Sequence, residues 1–236
     1  MARQFGTPEI FGTWTVDISG PGFTGTLGAH QHHAIEDVPL FCSAYRREWK
    51  RMWRFISGNW ATRILGGLRA SAYVTEYQDR GAPHIHYVLW TKRPIEELVQ
   101  QNNSPDRRVC IVMCELNPAD LALAGLVQRY QVHKHVEQYC GGTEHGGCRF
   151  NFPKEVSAST KIDTERENIV YERGQRDCWV NPYNMHILKM SRSTMDMQLN
   201  VGRKTLSYIC KYISKSEDLL KATVAGGDGG AEKAGK

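Results

Sequence analysis

The sequence predicts an α+β domain, and three features point to that class. Residues 70–78 and 84–90 alternate as short strands on either side of the turn residues Asp79-Arg80-Gly81, which reads as a hairpin. Residues 41–57 instead space their apolar side chains as a helix does. A chain of 236 residues with 41% apolar content can bury a substantial core, so one large domain, or a domain with an insert, accounts for the length.

Taken in order, residues 10–18 alternate loosely as a strand and lead into a Gly/Pro/His-rich loop that runs to about His33. In the helix over 41–57, Tyr45, Trp49, Met52, Trp53 and Ile56 fall at i, i+4, i+7, i+8 and i+11, one apolar stripe. After the hairpin, residues 93–100 read as a short helix beginning at Pro94, and 101–105 as a polar loop. Asn117-Pro118 supplies N-cap and N1 chemistry for a helix running to about Tyr139. Short strands are expected at 169–172, 179–181 and 195–200, and a last helix over 204–222. Residues 1–222 then form one domain with an insert at 133–154. The Gly-, Ala- and charge-rich stretch 223–236 is expected to be a disordered tail.

Composition removes several function classes. A formal charge of +5 and a pI near 8.8 suit a polyanionic partner without requiring one. No run of eighteen apolar residues exists, so no membrane partner is expected. Residues 1–10 hold no apolar signal-peptide core. Seven cysteines, two of them among histidines, fit free or metal-bound thiols in a reducing compartment better than a disulfide framework. An intracellular location follows, nuclear if the host is eukaryotic.

The hairpin carries the first chemistry. Side chains at i and i+2 of a strand share a face, so His84 and His86 project together while Ile85, Tyr87 and Leu89 pack on the other side. Two imidazoles on one rigid element are half of a divalent-metal site. On the preceding strand Glu76 shares a face with Ala72, Val74 and Gln78, and a tight hairpin would bring its carboxylate beside the rings. Two histidines and a carboxylate leave positions open on Mg²⁺ or Mn²⁺ for phosphate oxygens. Gln78 is the weaker alternate, because a neutral amide binds hard cations less well. By itself Glu76 would read as a solvated strand-end charge; beside the histidine pair it reads as a ligand.

The helix over 204–222 buries Leu206, Ile209, Cys210, Ile213 and Leu220 and carries a second stripe of Tyr208, Lys211, Tyr212 and Lys215. A phenol, with a pKa near 10, attacks phosphate only with help from nearby positive charge. Two tyrosines one turn apart, each followed three residues later by a lysine, supply that help twice. A second metal candidate lies between the hairpin and this helix. His133, His135, Cys140, His145 and Cys148 place five ligands within sixteen residues, and zinc takes four in a tetrahedron. His133, His135, Cys140 and Cys148 are the preferred set, with His145 the alternate. The segment His133-Lys134-His135 falls in a helical pattern, where its rings would splay apart.

With these residues in place, the ordered set resembles the HUH endonuclease superfamily, and more narrowly the replication-initiator nuclease domain of Helitron transposases. The resemblance is carried by Glu76 to Pro83 ahead of His84-Ile85-His86, and by Tyr208-Ile209-Cys210-Lys211-Tyr212-Ile213-Ser214-Lys215. Cys148-Arg149-Phe150-Asn151-Phe152-Pro153 and Val180-Asn181-Pro182-Tyr183-Asn184 add to it, and His133 to Cys148 is similar to that family's Cys/His knuckle. The resemblance implies a central antiparallel sheet flanked by helices. It also implies a single-stranded DNA nickase that keeps a 5′-phosphotyrosine link and frees a 3′-hydroxyl, acting in rolling-circle transposition. Arg149, Lys154, Trp179 and Tyr183 are candidate strand contacts. A helicase is expected in the parent protein or in trans. This chain lacks a GxxxxGK[ST] phosphate loop, since Gly202-Arg203-Lys204-Thr205 has no matching glycine spacing. The alternatives are a plasmid or phage initiator of the same chemistry and a non-catalytic zinc-containing DNA-binding module. A histidine-triad hydrolase is disfavoured because Val88 stands where the third histidine would be.

Overall fold

A computed structural model describes residues 2–18, 38–77, 83–141, 148–202 and 221–224. Its elements, in chain order, begin with a single turn α1 (Ala2–Phe5), strand β1 (Ile10–Thr15) and helix α2 (Val38–Arg54). A wide turn, Phe55–Trp60, kinks at Gly58 and leads into α3 (Ala61–Leu65), which Gly66 ends in the left-handed conformation at φ 71°. Next come β2 (Leu68–Tyr77), β3 (Pro83–Thr91), α4 (Ile95–Asn102), α5 (Leu121–Tyr130), α6 (Glu137–Cys140), β4 (Lys161–Asp163) and β5 (Asn168–Val170). The described chain closes with α7 (Met185–Ser191), β6 (Thr194–Leu199) and β7 (Lys221–Val224).

Four strands form an antiparallel sheet in the order β6-β1-β3-β2, and β7 extends it by pairing with β2. The α+β class and the hairpin are therefore as expected. Strand alternation gives the sheet two unlike faces. Ile10 and Trp14 of β1, Ile85, Tyr87 and Leu89 of β3, and Met195, Met197 and Leu199 of β6 enter the main core. Helix α2 lies over this face, where Trp49 stacks on Trp14 at 5.6 Å and meets Tyr73 edge-on at 5.0 Å. Gly12 makes that packing possible: a Cβ there would sit 2.0 Å from the Tyr87 ring, so any larger residue must displace a fully buried aromatic. The opposite face carries a smaller cluster of Phe11, Ala70, Ala72, Val88 and Trp90, and beside it the polar residues of the site.

The structure corrects several sequence expectations. The helix predicted from Asn117-Pro118 to Tyr139 starts at Leu121, where the Asp120 carboxylate accepts from Leu123 N–H, and stops at Tyr130. A bridge between Val132 and Val180 draws the following chain into extended conformation, with His133 N–H donating to Trp179 O at 2.7 Å. Helix α7 was not anticipated; Asn184, read only as part of a motif, caps it by accepting from His186 N–H and Ile187 N–H. The last helix was predicted to reach Ala222 and a disordered tail to begin at 223, whereas Lys221–Val224 is a strand on the edge of β2. Most of that predicted helix, including Tyr208, Lys211, Tyr212 and Lys215, lies outside the described residues, as do Gln78 and His145.

Candidate metal and nucleic-acid site

On the sheet face opposite α2, cross-strand register decides what meets. Glu76 of β2 pairs with His84, His84 with Thr15 of β1, and Val74 and Thr13 flank His86. The two imidazoles stand 4.6 Å apart, centroid to centroid, at 77°. His86 Nε2 lies 3.1 Å from Glu76 Oε2, and the Thr15 hydroxyl meets His84 Nδ1. Phe11 stacks on His86 at 6.1 Å and completes the wall beside it. Burial, with the neighbouring His86 adding to it against the opposing pull of Glu76, lowers the His84 pKa to about 4. Burial likewise lowers His86 to about 4. Both rings are therefore neutral near pH 7, with lone pairs available, the state that ligation requires. Glu76, His84 and His86 thus share one face, as the strand periodicity predicted. An oxygen-and-imidazole donor set of this kind suits a hard or borderline divalent cation.

The Cys/His segment forms a second cluster. The extended chain after Val132 puts His133 and His135 on one side, the reverse of the splayed helical arrangement expected for them. Helix α6 returns Cys140 toward them, and Arg149 N–H, donating to Cys140 O at 2.8 Å, brings in Cys148. One ligand atom from each of His133, His135, Cys140 and Cys148 lies within 4.8 Å of the others. Cys140 Sγ and Cys148 Sγ approach His133 Nε2 to 3.5 and 3.4 Å. Bond lengths of about 2.0 Å to nitrogen and 2.3 Å to sulfur in a tetrahedron imply edges of about 3.3–3.8 Å, so the cluster can bind a metal such as zinc. Burial pushes the Cys148 thiol up, but hydrogen bonds from Phe152 N–H, His135, Phe150 N–H and Cys140 outweigh it and bring the value down to about 7.

Around this cluster lie the predicted strand contacts. His133 stacks on Phe152 at 4.3 Å, and the Trp179 ring is nearly coplanar in orientation with both. Trp179 and Phe150 are exposed, Arg149 covers the Phe150 ring at 4.7 Å, and Lys154 Nζ sits 4.7 Å above Phe152. These are aromatic surfaces backed by cations. Tyr183 is different: it is fully buried and its phenol donates to Glu115 O at 3.0 Å, so it belongs to the core and cannot stack on a base. Between the Cys/His segment and β6 runs a groove of about 910 Å³ that reaches from Phe150 to Phe11. Its floor holds Asp196, which sequence reasoning did not single out, although alternation along β6 puts it on the same face as Gln198. Gln198 donates to Asp196 Oδ2 at 2.7 Å, while buried Oδ1 has no hydrogen-bond partner among the described residues. Burial dominates over Gln198, Lys154 and Arg173 and raises this carboxyl to about 6.

Residues 1–89 match a family model described as the Helitron helicase-like domain at the N-terminus. No curated protein matches the chain. The match spans β1, α2, β2 and most of β3, and so includes Glu76, His84 and His86. Among the described residues no helix is long and apolar enough to cross a membrane. Over residues 1–89, the chain is thus similar to the N-terminal domain of Helitron proteins.

Proposed function

We propose that this chain is a metal-dependent single-stranded DNA endonuclease and strand transferase of the HUH type, working in Helitron-type transposition. The observation that carries the reading is the shared face of His84, His86 and Glu76, two neutral imidazoles and a carboxylate on one side of a sheet. These three residues would hold Mg²⁺ or Mn²⁺, which when bound supplies Lewis-acid polarisation of the scissile phosphate. The phenol oxygen of Tyr208 or Tyr212 gives up its proton and attacks phosphorus in line. The bond from phosphorus to the 3′ oxygen breaks, and that oxygen takes a proton to leave as a 3′-hydroxyl. The 5′ phosphate stays on tyrosine as a phosphodiester, and attack on it by another 3′-hydroxyl reverses the step and joins a new strand. Lys211 and Lys215 would stabilise the phosphate charge. Thr15 and Phe11 fix the rotation of His84 and His86 respectively.

In this reading zinc at His133, His135, Cys140 and Cys148 is structural, within an insert over 133–154 of a single domain. The exposed rings of Phe150 and Trp179, with Arg149 and Lys154, take the strand. The family description supports a helicase in the parent protein or in trans. That cluster with its exposed aromatics would equally serve a non-catalytic DNA-binding module, which needs neither the histidine pair nor the tyrosines. One assay separates the two: a denaturing gel of the protein with labelled single-stranded DNA and Mn²⁺. A slow-migrating covalent band is expected, and binding without such a band would leave only the binding module.

A further inference from the structure

One helix of this chain carries a dense run of basic residues. Helix α2 carries Arg46, Arg47, Lys50, Arg51 and Arg54 against a single carboxylate, Glu48, in 17 residues, while the whole chain carries a net charge of only +5. All five cations are exposed, and Glu48 is 7% exposed. Arg51 has a structural role: its guanidinium holds both Glu48 oxygens, at 3.2 and 2.5 Å, and donates to Met190 O at 3.0 Å. Arg46, Lys50 and Arg54 form an i, i+4, i+8 row. Among the described residues lining the groove of about 860 Å³ along this face, none is acidic.

We propose that the outward face of α2 docks the phosphate backbone of duplex DNA. The proposal rests on the DNA-cleaving reading above, but uses a different surface from it. The inward face of α2 packs on the sheet side opposite His84 and His86, so its cations point away from the candidate cleavage site across a helix about 10 Å thick. A strand held at the histidines does not reach them directly. Among the described residues this face offers no stacking platform, since Tyr45, Trp49 and Trp53 are all committed to the core side of α2, and that favours duplex over single strand. The same commitment excludes insertion of α2 into a membrane as an amphipathic helix, which needs an exposed apolar stripe. The row from Arg46 to Arg54 rises about 12 Å, three to four nucleotide steps along a duplex strand, and guanidinium groups can grip phosphate through paired hydrogen bonds.

The test is Arg46→Glu/Lys50→Glu/Arg54→Glu in the full chain, with binding to a blunt duplex and to a single-stranded oligonucleotide followed by fluorescence anisotropy over a salt series. Duplex affinity at low salt should fall at least tenfold, and the slope of log affinity against log salt should drop by about 2 to 3. Covalent adduct formation on the short single strand should stay at the parent level, which also reports that the variant is folded. Arg46→Gln/Lys50→Gln/Arg54→Gln should give a smaller loss in the same direction. Duplex binding and slope equal to the parent's would overturn the proposal, as would an equal loss on both substrates. If the parent forms no adduct yet duplex binding still collapses in the variants, the cleavage reading fails and the docking surface stands.

Discussion

His86 occupies the middle strand of a five-strand sheet at 2% exposure, yet reaches Glu76 across the hairpin. A buried ring with that partner is what the alternation of β3 requires, and it makes the histidine pair the sharpest target for substitution. His84→Ala or His86→Ala should abolish the covalent adduct and leave DNA affinity within about twofold, because affinity comes mainly from phosphate contacts elsewhere. An adduct formed at the parent rate by the double variant would rule the pair out. Asp196 gives a different kind of prediction. Its folded pKa of about 6 lies above the 3.8 of an unconstrained aspartate, so the folded state binds the additional proton between those values. Stability contributed by this group is therefore present below about pH 4 and is lost as pH rises through 6. Asp196→Asn should raise unfolding free energy at pH 7 by about 1–3 kcal/mol, and the gain should shrink toward zero near pH 4. Urea melts at the two pH values measure it, and an equal change at both would contradict the sign.

The elements differ in how far the sequence reveals them. The hairpin, α2 and β6 were legible because each obeys one period throughout: Met195, Met197 and Leu199 alternate into the core, and Tyr45, Trp49 and Met52 make a stripe. The Cys/His segment was legible as a ligand set and misread as backbone. Nothing local in Gln131 to Val136 opposes a helix; the chain leaves helical form because Val180 and Trp179, some fifty residues away, offer backbone partners. Helix α7 was hidden for the converse reason, since its seven residues are too few to display a period and only the Asn184 cap announces it. The Cys/His element depends on little apolar packing, its own buried cluster being Cys140, Cys148 and Phe152. Bound zinc should accordingly supply much of its stability. Cys148→Ser should lower the melting temperature by about 5 °C or more while Mn²⁺-dependent cleavage at reduced temperature persists. Elemental analysis of the purified protein should find about one zinc per chain, and a zinc-free protein with an unchanged melting curve would contradict the assignment.

At the scale of the whole molecule, the proposed function requires the tyrosine segment to meet the face of Glu76, His84 and His86. Tyr208 and Tyr212 lie outside the described residues, so their expected roles rest on the spacing of the sequence alone. If that segment is helical, the two are separated by about 6 Å along its axis, and a single metal cannot align both equally. Tyr→Phe at one position should remove the adduct on a simple oligonucleotide, with Tyr208 the expected first nucleophile. The double variant should form none, yet keep the parent's salt dependence of binding. An adduct from the double variant would place the nucleophile elsewhere.

The position of β1 between β3 and β6 has a practical consequence. Residues 1–89, the stretch matched by the family, end inside β3 and omit β6 altogether. Cut there, the chain would present the six residues of β1 as an open edge, with the N–H and C=O groups that faced β6 unpaired and Trp14 stripped of the Ser193 hydroxyl that accepts from its indole at 2.6 Å. Such an edge is a template for pairing with other copies. Expressed alone, the fragment should be recovered as insoluble aggregate, whereas one extended through Leu199 should be soluble. A soluble, monomeric fragment of residues 1–89 would show that β6 is dispensable. The boundary of sequence similarity then differs from the boundary of folding: the 89 matched residues pair with a strand contributed more than a hundred residues later.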